Sequence, residues 1–530
     1  MSAAQYDVIV VGAGFAGLYA LKKLRDLGFR VLVLEAGGGV GGTWYFNRYP
    51  GARCDVDSVQ YSYSFSPELE QDWTWTERYA SQPEILRYIE HVAARFDLMR
   101  DIRLNARVTS AQYDPKAHLW RVAAGGTDYN AAYFVLAIGC LSSANIPDIP
   151  GRDRFEGRIL HTGQWPHEPV DFTGRRVGVV GTGSSGIQAI PEIAKQAAHL
   201  TVFQRTPNYS IPARNRPLTE DDAARAKAGY PALRAAAKQR PFAITFGDPP
   251  AERAALTSSE AERQADFDMR WDRGGLGFLG GFTDIIAAPA ANAFAAEYVR
   301  DKIRATVRDP VLAEKLSPRH YIGAKRICVD TDYYETFNRA NVALHDLRAD
   351  PIRTLAPQGI ETAAAAIPLD DIVFATGFDA MTGAFDRIDI RGPGITLKGA
   401  WAEGPKTYLG LGVHGFPNMF VLQGPGSPSV LTNMIVSAEF HVEWLGECLS
   451  HLRALGTARI EAEAAAQEAW TRHVGEAAAA TLYPHGNSWY LGANIPGKPR
   501  VFMPYLGFPA YAERARGIAA KGYEGFTIAP

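Results

Sequence analysis

The sequence predicts an α/β chain organised around two parallel sheets, each wound by the same local unit. Three observations predict it. A buried strand, a glycine-rich turn and a helix follow one another from Tyr6 to Leu27 and again from Arg176 to Ile193. Continuous apolar runs recur at residues 6–11, 30–34, 133–138, 176–180, 200–203 and 371–375. Strands of that kind need cover on both faces, as parallel sheets have. The length, 530 residues, also exceeds what one core ordinarily holds, so two or three domains are expected.

Composition narrows the class. The formal charge of -2 comes without a basic stripe or an acidic tail, which argues against a nucleic-acid partner. Cys54, Cys140, Cys328 and Cys448 are far apart, giving neither a C-x-x-C redox pair nor zinc-ligand spacing. Reduced thiols, a cytoplasmic location and no metal site are therefore expected. No basic segment leading into an apolar one precedes the first strand, so no signal peptide is expected. The longest apolar runs have strand length, so no membrane span is expected either.

The first unit runs Tyr6-Asp-Val-Ile-Val-Val11, then Gly12-Ala-Gly14-Phe15-Ala-Gly17, then Leu18, Leu21 and Leu24 at helical spacing. A second strand, Arg30–Leu34, stops on Glu35. Gly12 permits the tight turn, Gly14 lets the backbone approach a pyrophosphate, and Gly17 lets helix and strand pack closely. Glu35 suits the ribose hydroxyls of an adenosine. A Rossmann-like dinucleotide site is the reading, with a purely structural turn as the alternative. Gly37–Gly42 then leads into Thr43-Trp44-Tyr45-Phe46-Asn47-Arg48-Tyr49-Pro50-Gly51-Ala52-Arg53-Cys54-Asp55. Aromatics, a proline turn and a carboxylate suit the walls of a flat ring system, which favours FAD. Core packing for Trp44 and Tyr49, and an Asx turn for Asp55, are the plain alternatives.

The second unit is Arg176–Val180, then Gly181-Thr-Gly183-Ser184-Ser185-Gly186, then Ile187, Ile190 and Ile193 on one helical face. The strand Leu200–Phe203 ends in Gln204-Arg205-Thr206. Where the first unit has an acid, this one has a guanidinium and a hydroxyl, which suit the 2′-phosphate of NADPH. A surface ion pair is the alternative for Arg205. Between the units the prolines cluster, and Phe155-Glu-Gly157-Arg-Ile-Leu-His161-Thr-Gly-Gln-Trp165-Pro166 occupies that crossing.

The remainder is less explicit. Residues 213–316 read as a charged, Ala-rich helical insertion with no chemistry of its own, starting at Thr219-Glu-Asp-Asp222. Lys325 and Arg326 precede Ile-Cys-Val-Asp330; a solvated cation pair is the ordinary reading of such residues. Ala375-Thr-Gly-Phe378 marks a return to the first half. His441 lies on a helix and reads as a satisfied structural residue. Residues 482–509 are rich in Gly, Pro and aromatics without period, as functional or mobile loops are.

Two stretches resemble a known family. Phe155–Pro166 matches F-x-G-x-x-x-H-x-x-x-W-P, the fingerprint of type I Baeyer–Villiger monooxygenases, and Gly42–Asp55 matches that family's G-x-W-x-x-x-x-[FY]-P-[GM]-x-x-x-D signature. The resemblance implies FAD and NADPH domains interleaved in the chain. They would be an FAD-binding part over 1–145, an NADPH-binding part over 146–212, the insertion over 213–316, NADPH again over 317–378, and FAD over 379–530 with a C-terminal lid loop. It implies a reaction in which O2 adds at flavin C4a and the peroxide, held beside Arg326, converts a ketone to an ester or lactone. Asp55 would influence Arg326, Lys325 would join Arg205 at the 2′-phosphate, and Trp489 would sit on a lid over the nicotinamide ribose. A packed surface aromatic is the alternative for Trp489. Ser429, Val430, Leu431 and Met434 would line the ketone pocket. Gly157, His161 and Trp165 would couple the two halves, with His161 as anchor. A heteroatom monooxygenase with sulfoxidation, and a non-oxygenating sensor of NADPH, are the competing readings. The chain is expected to act as a monomer or small homo-oligomer.

Overall fold

The computed structural model describes residues 5–457 and 459–530. In the first sheet, β1 (Tyr6–Val11) lies between β2 (Val31–Leu34) and β6 (Thr127–Leu136), parallel to both. The β1 side chains alternate between two cores. Val8 and Val10 enter the core under α1 (Phe15–Asp26), while Ile9 and Val11 enter the core beside Trp120 and Phe134. This two-sided burial is why the strand reads as a continuous apolar run. An antiparallel ribbon, β4 (Val108–Asp114), β5 (Leu119–Ala124) and β6, extends one edge, and the late strand Met419–Val421 returns to pair with β6. The helix Met434–Leu455 packs on α1, and a Cβ on Gly446 would stand 3.0 Å from Leu27 Cδ1.

The second sheet is wholly parallel, in the order Val342–Asp346, β9 (His199–Gln204), β8 (Arg176–Val180), Asp371–Phe374, β7 (Arg158–His161). Its faces also separate. Val177, Val179, Leu200 and Val202 join the core formed with α2 (Ser184–Gln196) and the insertion helices, whereas Phe203, Ile372 and Phe374 join a smaller core on the other face. The insertion supplies helices Glu220–Lys238, Glu260–Arg273, Pro289–Thr306 and Pro310–Leu316. The first of these opens with a capping box between Thr219 and Asp222.

The chain passes between the sheets twice, and the two passages lie side by side. Asn145 donates its backbone N–H to Gly377 O at 2.9 Å, and Ala144 bridges Phe378. His161 closes the junction. Its Nδ1 accepts from Gly163 N–H at 3.0 Å, so the ring proton stands on Nε2, 3.3 Å from Thr376 Oγ1, which donates to Asn145 O at 2.6 Å. Burial pushes the His161 pKa down, in keeping with a neutral ring. His441 is satisfied likewise: Nδ1 accepts from Gln423 N–H at 2.9 Å and Nε2 meets Tyr511 Oη at 2.8 Å. Burial pushes its pKa down to about 3.

The outer end of the second sheet is tied by Asp371, whose side chain is fully buried between Arg158 and Arg175. Burial opposes its charge, but the two guanidiniums outweigh that and hold its pKa below the ordinary value. The stabilisation is thus present at neutral pH and lost as pH falls through the lowered folded-state value. Asp371→Asn is expected to cost about 2 kcal/mol, moderated because both arginines are over a third exposed. Thermal unfolding of both proteins across pH checks this: the gap in Tm should narrow as the pH drops below about 4.

Candidate active site

The two glycine turns have the same division of labour. Gly12 (φ +101°) and Gly181 (φ +112°) sit in the left-handed region, pressed on Ala137 O and Ala375 O. A Cβ on Gly17 would come within 1.8 Å of Gly12 O, and one on Gly186 within 2.2 Å of Gly181 O. The middle glycines face space: a Cβ on Gly183 would meet nothing within 4 Å, and one on Gly14 would first meet Gly42 Cα at 3.5 Å. The first and third glycines therefore serve the protein's own packing, and the middle one leaves room for a phosphate above a helix N-terminus. Glu35 goes beyond its expected place. Its oxygens accept from Ala13 N–H at 2.7 Å and Gly37 N–H at 2.6 Å, which clamps the glycine turn to the loop that follows. Phe15 opens α1 with its ring edge-on to Tyr61 and Tyr63.

That loop forms a wall. Thr43 begins a short helical turn, and buried Trp44 donates its indole N–H to Tyr61 Oη at 3.1 Å. Tyr49 donates its hydroxyl to Gln188 Oε1 of α2 at 2.8 Å. The loop ends on Asp55, which meets Arg326 from 271 residues away. Arg326 Nη2 donates to Oδ1 at 2.9 Å and Oδ2 at 2.7 Å, Nε donates to Oδ2 at 3.0 Å, and Nη1 donates to Val430 O at 3.1 Å. Burial works against the guanidinium's charge, but the Asp55 carboxylate outweighs it and raises the Arg326 pKa further above its ordinary value. The buried Tyr490 hydroxyl lies against the same guanidinium; burial pushes its pKa up to about 12, so it stays protonated.

A second cationic patch stands at the end of β9. Burial and then the charge of Arg205 lower the Lys325 pKa. Arg205 and Thr206 are exposed, and Thr206 O accepts from Thr182 Oγ1 at 3.1 Å. No carboxylate among the described residues pairs with Arg205 or Lys325. Two neighbouring cations without an anion suit a phosphate dianion. Ser184 and Ser185 form the first turn of α2, and Ser184 Oγ lies 3.5 Å from Cys328 Sγ.

Val430 belongs to a short turn, Ser429–Leu431, whose three residues are all buried and which leads to Met434 at the head of the long helix. Ser429 holds φ +43°, a strained value for a serine, and its Oγ faces Met381 Sδ. The insertion closes over this turn: Phe242 O accepts from Asn433 N–H at 2.8 Å and Thr432 Oγ1 at 3.1 Å. Trp489 is half-buried with its ring 4.3 Å from Tyr490. Its loop is docked, with Asn494 Nδ2 donating to Phe378 O at 2.7 Å and Gly486 pressed on Ala324 O. The crossing stretch stands apart from this centre. Phe155 lies in the smaller core, Gly157 is pressed on Asp370 O, Trp165 packs beside Phe172, and Pro166 is half-buried.

Residues that sequence reasoning missed are Gln188, Tyr490 and the segment 241–246. None carries a local signal beyond its own polarity or bulk. Among the described residues, no helix is long and apolar enough to cross a membrane, and no group of His, Cys, Asp or Glu is placed to hold a metal. All four cysteines are buried and free.

A profile of the family described as pyridine nucleotide-disulphide oxidoreductase matches residues 9–225. The chain is 42% identical over 530 residues to phenazine N-monooxygenase of Lysobacter antibioticus, covering 99% of this chain and 97% of that protein. It is 41% identical to a Baeyer–Villiger monooxygenase of Pseudooceanicola batsensis, covering 98% and 96% respectively. Among solved structures, an oxidised steroid monooxygenase bound to NADP is 53% identical with a TM-score of 0.94, covering 99% of both chains. A complex with FAD and NADP is 41% identical with a TM-score of 0.96, covering 100% of both chains.

The glycine geometry separates two substitutions. Gly183→Ala should melt like the parent yet bind NADP⁺ about tenfold more weakly, because its methyl enters the space left for phosphate. Gly186→Ala should lower the melting temperature, because its methyl meets backbone. Calorimetric titration with NADP⁺ and thermal unfolding read the two effects apart; equal behaviour of the variants would remove the distinction.

Proposed function

The chain belongs to the flavin-dependent Baeyer–Villiger monooxygenases, and from that premise we propose that it uses NADPH and O2 to convert ketones to esters or lactones, with Arg326 and Asp55 at the reacting centre. The observation that carries the reading is the two-point Asp55–Arg326 pair, set beside the Ser429–Met434 turn and between the two glycine turns. The residues fit both cofactors. Gly12, Gly14, Gly17 and Glu35 would hold the adenosine diphosphate of FAD, with Trp44 and Tyr49 in the wall of the flavin site. Gly181, Gly183, Ser184, Ser185 and Gly186 would hold the NADPH pyrophosphate, with Arg205, Thr206 and Lys325 at the 2′-phosphate. When bound, FAD takes a hydride from NADPH and activates O2.

Arg326 keeps its positive charge at every working pH, and so stabilises the negative charge that develops as oxygen is transferred to the ketone. Asp55 fixes the plane of the guanidinium, and Val430 O anchors its outer nitrogen. Ser429, Val430, Leu431 and Met434 give the ketone an apolar wall. With buried Tyr490 they keep water from the centre, where it would divert the oxygen to hydrogen peroxide. Trp489 and its docked loop would cover the nicotinamide of a bound NADPH. His161 holds the two inter-sheet passages together and takes no part in proton transfer.

A second reading, oxygen transfer to nitrogen or sulfur, is favoured by the phenazine N-monooxygenase at 42% identity. One aerobic assay with NADPH discriminates: panels of ketones, amines and sulfides, with products identified by mass. Esters or lactones as main products support the first reading; N- or S-oxides with no ester support the second.

Arg326→Ala should still be reduced by NADPH within about threefold of the parent rate, while ester formation falls by about a hundredfold or more. Stopped-flow reduction beside product analysis checks this, and ester at the parent rate would remove Arg326 from the centre. Arg205→Ala should raise the KM for NADPH about tenfold and leave that for NADH nearly unchanged. Equal losses with both would remove Arg205 from the 2′-phosphate.

A further inference from the structure

We infer that Gln188 is a positioning residue that clasps the loop carrying Asp55 to the helix of the second nucleotide turn; the inference rests on the monooxygenase reading of that site. Gln188 lies on α2, two residues after Gly186. Its side-chain amide engages the loop at two points. Oε1 accepts the Tyr49 hydroxyl at 2.8 Å, and Nε2 donates to Arg53 O at 3.1 Å. One side chain thus spans the whole turn Tyr49-Pro50-Gly51-Ala52-Arg53, which is itself closed by Ala52 N–H to Tyr49 O at 3.0 Å. Asp55 follows two residues later.

The contact is close as well as polar. Gly51 holds φ +80°, and a Cβ there would stand 2.4 Å from Gln188 O and 3.0 Å from Glu192 Cγ. The turn therefore lies directly on the backbone of α2. Tyr49 is buried, and burial pushes its hydroxyl up to about 12, so it remains a donor. Ser185 of the same helix reaches that hydroxyl too. From the other side, the segment 77–82 holds the loop through Cys54 N–H to Ala80 O at 3.1 Å, Gln82 N–H to Ala52 O at 2.8 Å and Arg53 Nη1 to Glu77 Oε2 at 2.9 Å. The loop is thus anchored to the FAD half by its own backbone and to the NADPH half by Gln188.

The helix that would cradle NADPH and the loop that walls the flavin cannot shift against each other without breaking this clasp. Hydride transfer depends steeply on that separation, so the clasp sets the distance from nicotinamide to flavin as well as the place of Asp55. No proton or electron passes through Gln188.

The test uses the full chain loaded with FAD. Gln188→Met keeps length and loses both hydrogen bonds; Tyr49→Phe loses the bond to Gln188 and the contact with Ser185. The limiting rate of anaerobic flavin reduction by NADPH should fall about tenfold in Gln188→Met, while the NADPH concentration for half-maximal rate shifts by less than about twofold. Amide hydrogen exchange of a peptide covering 47–56 should speed up about tenfold, with FAD content unchanged. Tyr49→Phe should show a smaller loss, and the double variant should lose less than the two single losses combined, because the substitutions share the Tyr49–Gln188 bond. Parent-like reduction and parent-like exchange in Gln188→Met would overturn the inference. If that variant does not fold, Tyr49→Phe decides alone: unchanged reduction and exchange overturn the clasp. Flavin reduction precedes any contact with ketone, so a parent enzyme that made no ester would overturn the monooxygenase reading and leave this readout standing.

Discussion

A guanidinium shared between a carboxylate and a carbonyl is the constraint on which the centre depends. Arg326 follows the insertion, Asp55 ends the loop after the first glycine turn, and Val430 belongs to the C-terminal part of the chain. These three segments are separated by 271 and 104 residues. Such a pair forms only when both sheets are complete and docked, so the charge at the centre is assembled by tertiary structure alone. Once formed, it is hard to disturb. The bidentate contact fixes the plane of the guanidinium, and the carbonyl fixes its remaining end. A guanidinium held in this way neither rotates nor gives up its charge.

How much of this was legible in the sequence depends on the range of the interaction. The glycine turns were legible because strand, turn and helix are local: Gly17 and Gly186 each press on the first glycine of their own turn, although Gly12 and Gly181 in turn press on the distant Ala137 and Ala375. Both-face burial was legible from continuous apolar runs such as Val8–Val11. The structural character of His441 was legible from its helix. Asp55 and Arg326 were not legible as a pair from residue chemistry; the resemblance of their two motifs brought them together. Gln188 and Tyr490 left no trace, because one amide on a helix and one tyrosine in a loop look like any other. Glu35 was read as a ribose acceptor, and its hold on two backbone amides follows from a loop return that has no sequence period.

The stretch at the crossing acts by geometry. His161, Thr376 and Asn145 form a short relay of hydrogen bonds in which every donor has one acceptor. Each of these residues lies on a different strand end or passage, so the relay records whether both passages are in place. Protonating the ring would set a second donor against the Gly163 amide, and burial disfavours that charge. A histidine suits the position because its two nitrogens can accept on one side and donate on the other, which no other neutral side chain of that span does with a rigid ring.

The insertion meets the turn at residues 429–433 through main-chain atoms. Phe242 O receives the Asn433 amide and the Thr432 hydroxyl, Pro241 O receives the Phe508 amide, and Thr245 exchanges both its backbone groups with the Gln60 side chain. Ala243 and Ile244 are buried in the core of the first half, whereas the Phe242 side chain is exposed. Phe242 can be exchanged for a larger or smaller residue without loosening the seam, and the frame around Arg326 need not notice. The bonds of this seam are thus indifferent to which side chain stands at position 242, so the segment can vary in sequence there while its main-chain attachment stays as it is.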